Sequence, residues 1–298
     1  MSRDHIVRAL LSDHDLRVLV AHVTGVATHA ATIHGCEPTA AMVLAQTLAG
    51  AALLGGLGKD SQRVTLQLEG QGPLKGLFAE GSADGSLRAY VRAVRVNFPD
   101  RDPADLGYSL GPDGYLSVLR ELPDGEFYRG AVGLDHPRLD RNLEHFFDVS
   151  DQVPTAVAIE AIPGDDGMPA RVVAMLAQRL PDGDDAALAA IRERLRAGAL
   201  REAMEGGGGG GLQLALPALE GLGRVDVLED VPLAYRCTCS RQRAERGVMA
   251  AGEDEILEMV AKDKGAELSC EFCKTVYRFS AEELLAILDS IRQPDDLS

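Results

Sequence analysis

Along the first two-thirds of the chain the apolar positions change period several times, and each change marks an element. Val64, Leu66 and Leu68 alternate with Thr65 and Gln67, the two-residue period of a half-buried strand, which Gly70-Gln71-Gly72-Pro73 ends. Leu74–Ala79, Leu87–Val96 and Tyr115–Leu119 read as further strands, separated by turns at Asp84-Gly85 and Asp113-Gly114. Asp124-Gly125 marks another hairpin. Ala156–Ala161 and Arg171–Leu176 read as two strands joined at Asp165-Asp166-Gly167. Helices are expected where the period lengthens: an amphipathic one from Arg3–Arg8 onward, an Ala-rich one after Pro38, and a short one over Leu143–Phe147. Strands and helices mix without regular βαβ alternation, so the fold class is α+β rather than a doubly wound sheet.

This mixed domain covers residues 1–180. The pattern then changes. Asp184 to Glu205 is helical, with Leu188, Ile191 and Leu195 on one face. Six glycines follow, Gly206 to Gly211. Glycine inside a helix costs about 1 kcal/mol relative to alanine, so the run is a break. Leu212–Leu222 is apolar and interrupted by Pro217. Residues 181–232 therefore read as a helical, glycine-broken linker of modest stability. Residues 233–298 form a third segment. It holds a short amphipathic helix over Glu253–Ala261, a strand over Val276–Phe279, and the capping box Ser280-Ala281-Glu282-Glu283. That box opens a last helix through Ile291, which Pro294 stops.

Composition narrows the function classes. The 298 residues carry a formal charge of −16 and no tryptophan. Nonspecific nucleic-acid binding needs a basic surface, so this balance argues against it. Arg3, Asp4, Arg8, Asp13, Asp15 and Arg17 interrupt any apolar leader, and no signal peptide is read. Ala40–Leu57 is apolar enough to be tested as a membrane span, but it is mostly Ala and Gly and includes Gln46 and Thr47. A buried helix is the expectation, with no membrane partner. The expected location is cytoplasmic, where thiols stay reduced.

The cysteines then change the picture. Cys237-Thr238-Cys239 and Cys270-Glu271-Phe272-Cys273 flank a long insert, and no histidine lies beyond His145. Two close pairs at this spacing point to one tetrahedral metal site, with Zn2+ the default ion and Cys237, Cys239, Cys270 and Cys273 the ligands. Four thiolates close the coordination shell and leave no position for substrate water, so the site is structural and the chain is not read as an enzyme. A nucleobase deaminase would need a His-x-Glu pair ahead of the cysteines, which is missing. The stretch Gly55-Gly56-Leu57-Gly58-Lys59 fails as a phosphate loop, because Leu53 and Asp60 occupy its defining positions. No catalytic residue or organic cofactor is assigned. Cys36, near His29 and His34, is read as a solitary thiol.

Thiolates are oxidisable, so such a site can be a switch as well as a staple. Two rival readings use the same residues. Arg236, Arg241, Arg243 and Arg246 cluster around the first pair and would fit a zinc-ribbon nucleic-acid or transcription adaptor; a solvated face pairing with nearby acids is preferred for them. Cys270 and Cys273 could serve a thiol oxidoreductase, but that chemistry favours a strand-to-helix junction, and here a strand follows.

The pattern Cys-x-Cys-Ser-Arg, a long insert, Cys-x-x-Cys and a following Tyr-x-Phe resembles the 33 kDa chaperonin family of redox-regulated heat-shock holdases. Arg63–Leu74, Asp84–Val91 and Phe146–Thr155 resemble further segments of that family in the same order. The resemblance implies one zinc per chain on the four cysteines in a reduced, inactive state. It implies oxidation, helped by heat, to the disulfides Cys237–Cys239 and Cys270–Cys273, with metal release and unfolding of the C-terminal module and linker. It implies ATP-independent binding of unfolding client proteins by the 1–180 domain, and a homodimer in the active state. The hexaglycine run is not a hallmark of the family.

Overall fold

The computed structural model describes residues 3–59, 62–103, 105–121, 125–207 and 209–292. Asp124 of the expected hairpin, Gly208 and Pro294 lie outside them. The chain divides into two compact units, Met1–Arg236 and Cys237–Ser298.

The larger unit is layered. A five-stranded antiparallel sheet runs in the order β10-β1-β2-β9-β8, from β1 (His5–Leu11), β2 (Leu16–His22), β8 (Thr155–Pro163), β9 (Pro169–Arg179) and β10 (Val225–Pro232). A second sheet runs β11-β5-β4-β3-β6-β7, from β3 (Arg63–Glu69), β4 (Gly76–Ser82), β5 (Ser86–Val91), β6 (Tyr115–Glu121), β7 (Phe127–Gly133) and β11 (Ala234–Tyr235). Between them lie α1 (Thr24–His34) and α2 (Pro38–Gly56). α2 is the apolar stretch tested above as a membrane span, and it is buried along its length as a core helix. The short α3 (Leu106–Ser109) and α4 (Leu139–Phe146) complete this layer's surroundings. Mixed helices and sheets without βαβ order make the α+β class correct.

Strand β3 shows the expected alternation, with Val64, Leu66 and Leu68 buried. The N-terminal expectation was wrong: Arg3–Arg8 leads into strand β1, not a helix. The five-stranded sheet is covered on both faces. Ile6 packs into the core around α2, while Ala9 and Leu11 pack into a second core on the opposite face. A β-bulge between Arg8 and Ala9 shifts the register against β10. Two-sided burial removes the simple period-two signal and leaves a pattern that mimics a helix.

The second core is closed by α5 (Asp185–Arg196), α6 (Ala199–Glu205) and α7 (Leu216–Leu219). Asp184 caps α5 by accepting from the Ala186 and Ala187 N–H groups, and Gly198 at φ 99° separates α5 from α6. Leu188, Ile191 and Leu195 are buried against the sheet as the periodicity required. Of the glycine run, Gly207 and Gly211 hold positive φ. β10 then returns along the free side of β1, and the chain crosses to the second sheet, where Ala234–Tyr235 pair in parallel with β5.

The helix layer meets the second sheet at two glycines. A Cβ on Gly81 of β4 would stand 2.1 Å from the Ala51 carbonyl oxygen of α2, and one on Gly55 would stand 2.7 Å from the Gly81 carbonyl carbon. Both obstacles are backbone, so no side chain can rotate away. Gly81→Ala is expected to destabilise the larger unit by about 1–3 kcal/mol, the usual cost of overpacking. Scanning calorimetry should then show a Tm lower by several degrees; an unchanged Tm would mean α2 can move off the sheet freely.

Candidate metal centre

The smaller unit is built around a hairpin. β12 (Gly265–Ser269) pairs antiparallel with β13 (Val276–Ser280), and Cys270 and Cys273 sit in the turn between them. The turn closes as a knuckle. The Cys270 N–H donates to Thr275 O and the Lys274 N–H to Cys270 O, each at 2.9 Å, with Lys274 in the left-handed region at φ 58°. Cys237 and Cys239 lie in the extended segment just before α8 (Arg241–Ala251), whose N-cap Ser240 accepts from the Arg243 N–H. α9 (Glu253–Glu258) and α10 (Ala281–Arg292) complete the unit. The capping box forms as read: the Glu283 N–H donates to Ser280 Oγ at 3.2 Å, and the Ser280 N–H to Glu283 Oε2 at 2.9 Å. Among the described residues the buried apolar core is small: Val248, Ile256, Phe279, Leu284, Ile287 and Leu288.

The fold brings all four predicted sulfurs together, within 4.8 Å of one another. Two approaches run between the knuckles: Cys237 Sγ to Cys270 Sγ is 3.6 Å, and Cys239 Sγ to Cys273 Sγ is 3.3 Å. A tetrahedral zinc with Zn–S bonds of about 2.3 Å has sulfurs about 3.8 Å apart, so this donor set fits that ion with small adjustments. Tyr277 Oη donates to Cys239 Sγ at 3.1 Å, and Cys273 Sγ lies 3.2 Å from Thr275 Oγ1. These two neighbours were not singled out as site residues in the sequence. Tyr277 is the tyrosine of the Tyr-x-Phe pattern after the second pair, noted there only for the family resemblance, and Thr275 is marked by its position alone.

The surroundings act differently on the individual sulfurs. Burial works against ionisation of Cys273, but hydrogen bonds from the Thr275 side chain and backbone and from Cys239 and Cys237 outweigh it, bringing the thiol down to about 6. At Cys239 burial leads, Tyr277 opposes it, and the other three thiols add to it, so the group is pushed up to about 12. Burial also raises Cys270, against the Cys273 and Phe272 N–H groups. The hydrogen bond to Cys239 raises Tyr277 to about 12. The close sulfurs thus pull apart, Cys273 toward the thiolate and Cys239 and Cys270 away from it. A bound dication is what allows all four to ionise.

The remaining candidates fall elsewhere. Cys36 packs in the core of the larger unit. Gly55 and Gly56 are the end of α2, not a phosphate loop. Arg241 is engaged with Glu283 at 2.6 Å and Glu245 at 3.6 Å and lies over the Phe279 ring, and Arg243 donates to Thr238 Oγ1. Arg236 belongs to the larger unit, where it faces Asp84. The Cys270–Cys273 pair sits in a strand-to-strand turn.

A sequence model of the Hsp33 protein family matches residues 4–280. The chain belongs to the Hsp33 family. The match spans both units, from β1 to the end of β13, and identifies a family of heat-shock chaperones. Among its relatives, the 33 kDa chaperonin of Syntrophotalea carbinolica is 35% identical over 96% of this chain and 99% of its own length. A 33 kDa chaperonin of Thermus thermophilus is 34% identical over 97% of this chain and 88% of its own. The fold is similar to that of the Thermotoga maritima 33 kDa chaperonin crystal structure, with a TM-score of 0.84 and 24% identity, over 99% of this chain and all of that one.

Proposed function

We propose that this chain is a zinc-bound, oxidation-activated holdase that keeps unfolding proteins from aggregating without ATP. The observation that carries it is the cluster of four thiols, half-exposed and within 4.8 Å of one another, in a unit with a small apolar core. Cys237, Cys239, Cys270 and Cys273 would hold one Zn2+, which supplies a cross-link between the two knuckles. A unit of this size has little stability of its own, so removing the ligand set unfolds it. Peroxide does that chemically: each disulfide formed takes two electrons from a thiol pair and reduces one peroxide to two waters. A sulfur in a disulfide is no longer a thiolate donor. Residues 181–232, which contain the broken α5–α6 pair and the glycine run, then loosen and uncover the apolar sheet face beneath. Clients bind there, on the 1–180 domain, and the active form is a homodimer working in the cytoplasm.

The test is light scattering from a chemically unfolded client diluted into buffer. Protein oxidised by peroxide at heat-shock temperature is expected to suppress scattering, and the zinc-loaded reduced protein is not. Equal failure of both forms would leave the adaptor or oxidoreductase readings to be pursued.

A further inference from the structure

The layer formed by α5 and α6 is seated on more than apolar contacts. Three carboxylates lie at its edge, each nearly excluded from solvent: Asp140 and Glu144 of α4, and Glu160 of β8, with side-chain exposures of 1%, 6% and 8%. Arginines of the covering helices reach down to two of them. Arg196 of α5 donates to Glu144 Oε2 at 3.1 Å, and Arg192 of α5 lies 3.9 Å from Glu144 Oε1 while donating to the Thr155 carbonyl. Arg201 of α6 sits 2.8 Å from Glu160 Oε2, too far off axis for a hydrogen bond, so that buried oxygen has charge opposite it but no aligned donor.

The seat is not neutralised by its own layer. Arg138 bridges Asp140 and Glu160, and Arg141 reaches Asp140 and Glu144. Two resident guanidiniums against three carboxylates leave one negative charge, beside the apolar face made by Val18, Val20, Ala156, Ala158, Val173 and Met175. The covering helix matches this surface twice. Leu188, Ile191 and Leu195 fill the apolar face, and Arg192 and Arg196, four and eight residues after Leu188, fill the acidic edge.

We propose that the face beneath α5 and α6 is a docking site for cationic amphipathic client segments, those carrying arginine beside an aliphatic stripe, and that α5 and α6 are its resting occupant. This rests on the reading that oxidation lifts the 181–232 segment. The acidic edge gives the site a preference that an apolar face alone lacks: guanidinium pairs with carboxylate in directed, charge-assisted bonds. Segments with acids beside their apolar stripe are repelled there.

Fluorescence anisotropy on the oxidised full-length chain tests this with three labelled peptides. The first is residues 184–204 of this chain. The second carries R192Q, R196Q and R201Q. The third has the first peptide's composition, with its arginines moved to the solvent-facing side. The first is expected to bind at least about tenfold more tightly than the other two, the loss that follows from one charge-assisted hydrogen bond. In the E144Q/E160Q chain that gap should close, with binding of the second peptide unchanged. The E144Q substitution keeps an acceptor for the Val157 N–H, which donates to Glu144 at 3.0 Å. Should the double variant not fold, the three peptides on the unaltered chain still decide. Equal binding of the first and third peptides would reduce the effect to bulk attraction by an acidic protein and overturn the proposal. So would binding of none. Client scattering measured on the same oxidised sample separates the two failures: suppression without arginine preference leaves the holdase reading standing, and no suppression removes both.

Discussion

Cys270→Ser should unfold the Cys237–Ser298 unit at ordinary temperature and leave the 1–180 domain folded. The expectation follows from magnitudes. A structural zinc contributes apparent binding free energy of about 10–16 kcal/mol, and whole domains are stable by only about 5–15 kcal/mol. This unit buries few large side chains, and its core spans α8, α9, β13 and α10 with Phe279 as its one fully aromatic member. Serine keeps the size of the ligand but not a thiolate. Its hydroxyl oxygen can still accept from the Cys273 and Phe272 N–H groups that face Cys270, so the lost metal bond is the main change. Zinc content should fall from one per chain to a small fraction, and trypsin should cut readily at Arg241, Arg243 and Arg246, which the folded unit holds in α8. A strong chelator should reproduce both effects in the unaltered chain. A Cys270→Ser protein that retains stoichiometric zinc and resists trypsin would show that the four-thiolate assignment is mistaken.

The four-cysteine cluster was legible because its information is local. Each cysteine pair is a short motif, and the capping box and the hairpin flanking the second pair depend on residues within a few positions of one another. The strands β3 and β6 were legible for the same reason, since a half-buried strand and its turn are written in consecutive residues, and β8 and β9, buried on both faces, were legible as short apolar runs bounded by turn residues. β1 was not. Whether Ile6, Val7, Ala9 and Leu11 are strand or helix is decided by what covers each face, and those covers, α2 on one side and the α5–α7 layer on the other, lie far along the chain. The seat under α5 and α6 was illegible too. Leu188, Ile191 and Leu195 announced a buried face, but nothing near them announced that Glu144 and Glu160 would meet Arg196 and Arg201. The role of β10 as an edge strand pairing with β1 is of this kind, a contact between chain ends that no window contains.

Mapping the disulfides of the oxidised protein should give Cys237–Cys239 and Cys270–Cys273, although the fold brings Cys237 Sγ within 3.6 Å of Cys270 Sγ and Cys239 Sγ within 3.3 Å of Cys273 Sγ. The proposed switch depends on that choice. A disulfide between the knuckles would close a loop of about 34 residues and, on the chain-entropy account, restrict the unfolded state by about 4 kcal/mol. Such a bond would replace the metal cross-link and keep the unit folded, so oxidation would not loosen it. A disulfide within each knuckle closes only a few residues, contributes less than half as much on the same account, and leaves the two knuckles untethered. Only the second pairing turns oxidation into unfolding. The approach distances do not choose between them, because all four sulfurs lie within 4.8 Å and any pair can react once the ligand set is broken. Thiolate–disulfide exchange then lets the pairing settle, and unfolding of the unit favours neighbours in sequence over partners that only the fold brings together. Peptide mapping by mass spectrometry after peroxide at heat-shock temperature should find the within-knuckle pairs in at least about nine chains in ten, a ratio that needs only about 1.4 kcal/mol of preference. Circular dichroism of the same sample should show loss of helix from α8 to α10. Between-knuckle pairs in a sample that still suppresses aggregation would mean that activation does not run through unfolding of this unit.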